Sequence, residues 1–397
     1  MVTALPRLRY YQSETHLFKL GLPRHCEQGN LVEIATASPH NDGDIHSGLH
    51  RSDTLPRPEL AFPIAEAPPE GIPTEVAPGV YWLRMPLPFS LDHINLWIIE
   101  DEDGWNLIDT GIGTDTCVEL WRKIMLENKD AKPVKRIFVT HMHPDHVGLA
   151  GWLCRKWQVP LFMSRTDYLM CRVLVADSYR EAPEAGIQFY ASAGLTADQL
   201  EYYEAKFGGY GKMIKPLPDQ YERLQDGDEF VMAGHTWQVI VGTGHAPEQM
   251  TFLCEALNLY ISGDQLLPGI SSNVSVWPTE PESNPLQDWL DSCAKLEQRL
   301  PADVLVLPSH ELPFQGAPAR LQHLQQGHQR GLEKLLAACE NPQRVVDLFG
   351  CLFRREIDNA VMTLAVGETL AHLNLLVHDG KLNRTTDSNG VHWYQQA

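Results

Sequence analysis

Between Thr140 and Gly148 the chain reads THMHPDHVG, which puts three imidazoles and a carboxylate, His141, His143, Asp145 and His146, within six positions. Neutral imidazole nitrogens and carboxylate oxygens are the ligands that zinc-type divalent ions take, and a catalytic ion keeps one position open for water. His141 and His143 alternate around Met142, so both rings can turn to one side of a loop; after the turn stiffened by Pro144, Asp145 and His146 can face a second ion. A lone histidine is ordinarily a satisfied surface or core group. His235, His323, His328, His372, His378 and His392 take that reading, whereas four ligand-type side chains in six residues do not.

The remaining ligands have to come from elsewhere in the chain. VIVGTG runs into His245, LYISG into Asp264 and DVLVLPS into His310, just as RIFVT runs into His141. Polar residues placed repeatedly beyond the ends of apolar strands converge on one rim of a sheet scaffold, where a rigid site is easiest to build. Asp264, with two oxygens, can bridge two ions. Two metals sharing a hydroxide bring the pKa of water toward neutrality and so provide a nucleophile at pH 7. The expectation is a two-metal site whose chemistry is the activation of water.

The elements that position these residues follow from period and punctuation. INLWIIED and WNLIDTG flank the turn residues EDG and predict a hairpin. DTCVELWRKIMLEN carries a helical stripe of Cys117, Leu120, Trp121, Ile124 and Met125. VKRIFVT then reads as a strand, HMHPDH as a loop and VGLAGWLCRKW as a helix, and TWQVIVGTGH, MTFLCEA, LNLYISGD and DVLVLPSH are further strands. Strands alternating with helices predict packed α/β layers. A mostly helical insertion over about 164–218 has the size and place of a cap over the site. Tyr190, Tyr203 and Tyr210 within it, and SSNVSVWP (Ser271 to Pro278) beyond it, are candidates to border the pocket, with ordinary packing their commoner role.

Composition sets the outer bounds. A length of 397 residues suggests two structured units with extensions. Residues 1–75 lack either period and predict an extended, partly disordered arm, whose His25, His40, His46 and His50 read as loop histidines without ligand spacing. Acids outnumber bases 51 to 32, for a net charge of −19, a field that repels polyphosphate backbones. Eight scattered cysteines without a C-x-x-C pair predict free thiols in a reducing compartment. No apolar run approaches the roughly 20 residues of a bilayer span, and the N-terminus lacks the apolar region of a secretory signal. A cytoplasmic protein without a membrane partner is expected.

HMHPDH resembles the H-x-H-x-D-H motif of the metallo-β-lactamase superfamily, and LIDTGIGT resembles that family's upstream strand and turn with its Asp109. GTGHAPEQM, SGDQLL and LPSHELPF resemble its third-histidine, bridging-aspartate and last-histidine motifs, all in family order across residues 76–315. The resemblance implies an αββα sandwich with His141, His143 and His245 on one metal and Asp145, His146 and His310 on the other. By the same resemblance Asp264 would bridge them and Asp109 would support the site from behind. The cofactors implied are two divalent ions, zinc first, with iron or manganese as alternatives suited to the same ligands. In hydrolytic members the bridging hydroxide attacks a carbonyl or phosphoryl centre while the carboxylate equivalent to Asp145 orients the water and moves protons.

Three departures narrow the reading. Glu311 follows His310 where glycine is commoner, His143 stands where flavin-linked di-iron relatives have Glu, and Asp264 occupies a bridging position that true β-lactamases lack. Oxygen reduction and antibiotic hydrolysis are thereby disfavoured. The catalytic domain is assigned to 76–330, and residues 331–397, helix, helix and a hairpin turning at DSNG, resemble a small winged-helix-like domain. Its position resembles that of the small C-terminal domain in the superfamily subgroup that includes lactamase-like endoribonucleases and is related to glyoxalase II. From residue 331 on there are six basic residues against eight acidic ones, whereas a nucleic-acid reader shows a basic face. A packing or dimerising appendage, compatible with a homodimer, fits better. The leading expectation is a dinuclear hydrolase of a small ester, thioester or lactone. Its alternatives are a metal-dependent endoribonuclease and a metal-retaining sensor or partner-binding protein.

Overall fold

The computed structural model describes residues 37–41, 55, 57–127 and 131–397. Most of the arm expected over 1–75 lies outside the described residues, with His25, His46, His50 and the side chain of His40. Ala37–Asn41 is a short strand paired antiparallel with Ile270–Ser272.

Seven strands, Thr74–Ala77, Val80–Pro86, His93–Asp101, Gly104–Ile108, Val134–Phe138, Leu161–Met163 and Glu222–Arg223, lie side by side in chain order. The first four form an antiparallel meander and the rest continue in parallel. The expected hairpin closes through Glu102 and Asp103, with Asp101 paired to Gly104. A second sheet runs Leu305–Pro308, Leu259–Gly263, Gln249–Cys254, His235–Gly242, Glu229–Met232, and only its first pair is parallel.

Alternation along the strands decides the layers. Trp82, Trp97, Ile108 and Phe138 of the first sheet meet Trp237, Val239, Phe252 and Ile261 of the second in one apolar cluster. Leu83, Met85 and Leu107 point the other way, onto Trp121 of the helix Asp115–Glu127 and Leu153 of Ala150–Trp157. Ile240 and Tyr260 face Trp289 of the helix Pro285–Arg299 and Leu321 of Ala317–Ala338. Each such side chain contributes about 1.5–3 kcal/mol by leaving water, so both sheet faces are covered and the order is helix, sheet, sheet, helix. Asn95, fully buried, ties the layers by polar contacts: it accepts from Trp82 Nε1 at 2.8 Å, and its Nδ2 donates to the carbonyls of Pro308 (3.0 Å) and Glu311 (2.9 Å).

Between Leu161–Met163 and Glu222–Arg223 stand the helices Arg165–Ala176, Glu184–Ser192, Ala197–Lys206 and Gly209–Lys212. At the C-terminus come the helix Met362–His378 and the antiparallel hairpin Leu382–Thr386/His392–Gln396. This end has no core of its own: Leu348, Leu373 and Tyr394 share a cluster with Leu286 and Trp289. The boundary expected at 330 falls inside the continuous helix Ala317–Ala338, which joins the two regions because its buried face packs against both. Among the described residues the cysteines are unpaired, six of them buried, and no helix is long and apolar enough to cross a membrane.

Candidate metal centre

The strand Val134–Phe138 delivers the chain to Thr140, and Asp109, just past the end of Gly104–Ile108, receives it. Asp109 accepts from Thr140 N at 2.8 Å and from Thr140 Oγ1 at 2.8 Å. Its φ of 64° lies in the left-handed region, which Asp tolerates better than most residues. HMHPDH is not wholly a loop. Pro144–Val147 forms one helical turn, because Pro144 at its first position has no N–H to leave unpaired and a φ already suited to helix. Gly148 closes the turn where a Cβ would lie 2.4 Å from the Pro144 carbonyl and 2.5 Å from Gly113 N, so no larger residue fits.

Hydrogen bonds from behind fix which nitrogen each ring presents. His146 Nδ1 donates to Asp109 Oδ2 at 2.8 Å, His245 Nδ1 to the Asn273 carbonyl at 2.7 Å, and His310 Nδ1 to the His93 carbonyl at 2.9 Å. His141 Nδ1 lies 3.0 Å from Thr140 Oγ1. All four turn Nε2 inward, and His143 brings Nδ1 to 2.8 Å from His141 Nε2.

All seven expected ligands come together, in two sets: His141, His143, His245 and Asp264, and Asp145, His146 and His310. Asp264 stands between them. Its Oδ2 lies 3.4 Å from His245 Nε2 and 3.9 Å from His141 Nε2, while its Oδ1 lies 3.5 Å from His146 Nε2 and 3.4 Å from His310 Nε2. Asp145 Oδ2 is 3.5 Å from His310 Nε2 and 3.7 Å from His146 Nε2. Ligand atoms held tetrahedrally at about 2.0–2.1 Å from one ion are about 3.3–3.4 Å apart, close to the 3.4–3.7 Å separations of the second set and to the 3.4 Å between His245 and Asp264, whereas His141 and His143 stand closer, at 2.8 Å. Both oxygens of Asp264 and the Nε2 atoms of His146 and His245 are buried without a hydrogen-bond partner. Such atoms cost several kcal/mol each unless a charge or donor meets them, and divalent cations fit this donor set.

The electrostatics agree. Burial, aided by the neighbouring imidazoles, holds His141 and His143 well below the usual histidine range, which keeps them neutral and able to ligate. Burial works in the same sense on His146 and His310, but the carboxylates of Asp145, Asp109 and Asp264 around His146, and of Asp264 and Asp145 beside His310, outweigh it and push both up. The second set is thus a place where the protein's own field favours positive charge. Burial raises Asp145, whereas at Asp264 the surrounding imidazoles overcome burial and hold the carboxyl well below the ordinary carboxylate range.

Several residues escaped the sequence reading. Asp167, fully buried on the first turn of Arg165–Ala176, accepts from Met142 N (3.0 Å) and Glu248 N (2.9 Å), joining the loop of His141 and His143 to that of His245. Glu368, fully buried on Met362–His378, accepts from Asn273 Nδ2 at 2.9 Å, so the C-terminal helix supports the residue that holds His245. Asn273 places the SSNVSVWP segment against the site. Of the three tyrosines, Tyr210 alone touches the metal-binding loop, donating from Oη to the Met142 carbonyl; Tyr190 and Tyr203 pack on each other in the apolar cluster around Trp289. Glu311, the departure from His-Gly, keeps a left-handed φ of 66°, and its carboxylate accepts from Gly269 N at 2.8 Å and Ile270 N at 3.3 Å. A glycine would relieve the backbone and release that loop.

Comparison with known proteins places this geometry. Residues 90–310 match the family model of the Metallo-beta-lactamase superfamily, and 332–397 that of the Metallo-beta-lactamase-like, C-terminal domain. The crystal structure of a beta-lactamase domain protein from Burkholderia ambifaria is similar at 41% identity and a TM-score of 0.78, covering 85% of this chain and 98% of that one. The probable metallo-hydrolase YqjP of Bacillus subtilis is 23% identical over 78% of this chain and 96% of its own length. A hydroxyacylglutathione hydrolase from Idiomarina loihiensis is 24% identical over 33% of this chain and 54% of its own length.

Proposed function

Given that the chain belongs to the metallo-beta-lactamase superfamily and is a metal-dependent hydrolase, we propose that it is a dinuclear enzyme that cleaves a small ester, thioester or lactone. The observation that carries the reading is Asp264, whose two oxygens face two separate ligand sets. When bound, the ions, zinc first with iron or manganese as alternatives, bring the pKa of water toward neutrality and polarise the substrate oxygen. His141, His143 and His245 would hold one ion, and Asp145, His146 and His310 the other. Asp109 keeps His146 in the tautomer that offers Nε2, as Asn273 does for His245 and the His93 carbonyl for His310. Asp145 is the carboxylate that orients the attacking water and carries its proton to the leaving group.

The thioester option is supported by the resemblance to a hydroxyacylglutathione hydrolase, whose named substrate is a thioester. Helices followed by the hairpin Leu382–Thr386/His392–Gln396 fit a winged-helix-like reading of the C-terminal region. Its six bases against eight acids favour a packing or dimerising role over nucleic-acid binding. The unpaired cysteines suit a reducing, cytoplasmic setting. The test is elemental analysis of the purified protein followed by a panel of esters, thioesters, lactones, phosphodiesters and single-stranded RNA. Two ions per chain are expected, with turnover of a carboxyl substrate that His143→Ala abolishes. Cleavage confined to phosphodiesters or RNA would replace it with the endoribonuclease reading.

A further inference from the structure

A cleft of about 440 Å³, lined in part by Gly269 and Ser271 and by none of the seven candidate metal ligands, opens between the helix Ala317–Ala338 and the short helix Phe349–Leu352. Arg57, Arg320, Arg330, Lys334 and Arg354 line it, and among the described residues no Asp or Glu does. In a chain with 51 acids and 32 bases, a wall whose charged side chains among the described residues are all basic runs against the composition. Arg330, Lys334 and Arg354 are exposed at the mouth and make no ion pair among the described residues. Deeper in, Arg320 is 2% exposed, with Nε and Nη2 each donating at 2.8 Å to the carbonyls of Leu267 and Ile270. His328 and His372, both buried, lie beside it with Nδ1 and Nε2 3.2 Å apart.

The fields of Arg330, Lys334 and Arg354 in one concave, partly apolar space add and are screened less than on open surface, while the Arg320 guanidinium is held by the Leu267 and Ile270 carbonyls and by His323 Nδ1 at 2.9 Å. Guanidinium forks match phosphate oxygens in pairs, and lysine adds a mobile charge. Leu324, Leu352 and Phe353 provide apolar surface beside these charges, and the volume is that of a small-molecule site. The cations are gathered in a pocket and do not form a stripe, and the chain as a whole is strongly acidic, so a long polyanion is a poor match.

We propose that this cleft binds the phosphate groups of a small phosphorylated molecule with an apolar or aromatic portion, at a site distinct from the metal centre. It lies close to the metals through the backbone. Ser271 lines it and Asn273, two residues on or about 7 Å along an extended chain, accepts from metal ligand His245. The helix Met362–His378 serves both places, with His372 in the cleft and Glu368, one turn earlier, bonded to Asn273.

The test is titration calorimetry with inorganic phosphate and with ADP, at low and moderate salt, on the metal-loaded protein and after chelation. The same titrations follow on Lys334→Glu combined with Arg354→Glu and on the milder Lys334→Gln/Arg354→Gln. Neither residue touches the metal ligands, so metal content reports whether the variants keep their fold. Binding should survive chelation, weaken with salt, favour ADP over phosphate, and fall about tenfold or more in the charge-reversed variant, as expected for loss of charge-assisted bonds. The glutamine pair should fall between. Anion binding that vanishes on chelation and ignores both variants would put the anion on the metals and overturn the proposal, as would no binding at millimolar concentrations. Tighter binding of an RNA oligonucleotide than of ADP, sensitive to the same variants, would overturn the ligand class.

Discussion

Replacing Asp167 by alanine tests whether the two loops of the first metal set are held by one buried carboxylate. The change strands two buried backbone donors, Met142 N and Glu248 N, each at about 1–3 kcal/mol. An opposing effect comes from burial, which raises the Asp167 carboxyl from 3.8 to about 6 against the pull of those same donors. The rise means that holding the ionised form inside the fold costs roughly 3 kcal/mol at neutral pH. The folded state therefore binds this proton more tightly than the unfolded state, and the stabilisation present below about pH 4 is lost as pH climbs through 6. Asp167→Ala removes that dependence. With chelator present in both proteins, urea unfolding should show a deficit about 2 kcal/mol smaller at pH 8 than at pH 4.5. Metal affinity at pH 8 should nonetheless fall about 10–100-fold, the usual effect of removing a group that orients ligands. Wild-type metal affinity together with a pH-independent deficit would refute the reasoning.

Other changes reach the site from further away. Glu368→Ala leaves Asn273 Nδ2 buried without its acceptor and should weaken metal binding by about tenfold, with Glu368→Gln recovering most of the loss; a wild-type affinity in the alanine variant would show that the C-terminal helix is only packing. Chelation should lower the thermal midpoint, since an ion at 100 times its Kd contributes about 2.7 kcal/mol and its removal leaves both Asp264 oxygens without a partner; an unchanged midpoint contradicts this. Gly151→Ala would place a Cβ 1.8 Å from the Pro216 carbonyl and should destabilise by about 1–3 kcal/mol or more, read from the urea midpoint; an unaltered midpoint would mean that this contact yields freely.

The seven candidate ligands that the fold brings together were legible because they sit in short local patterns, an apolar strand followed by His or Asp or by the HMHPDH cluster, and strand ends meet by the geometry of the sandwich itself. Their tautomers were not legible. Asp109, 37 residues from His146, was expected behind the site, but the Asn273 and His93 carbonyls reach His245 and His310 from 28 and 217 residues away. Asp167 and Glu368 carried no signal at all, since an isolated acid on a predicted helix reads as a solvated face until packing buries it. Pro144 was read as a loop stiffener because a one-turn helix is too short to show a period. A count of six bases against eight acids likewise does not show that Lys334 and Arg354 line one cleft with Arg320, Arg330 and Arg57, since that grouping is made by packing.

The central claim is that two ions share Asp264, and metal stoichiometry on the purified chain tests it most directly. Wild-type protein should hold two ions per chain, matching the two ligand sets. Asp264→Ala, which takes an oxygen from each set at once, should weaken both ions and remove hydrolysis, while His310→Ala should strip the second ion first. A single ion in the wild type, or two ions and full turnover in Asp264→Ala, would contradict the account.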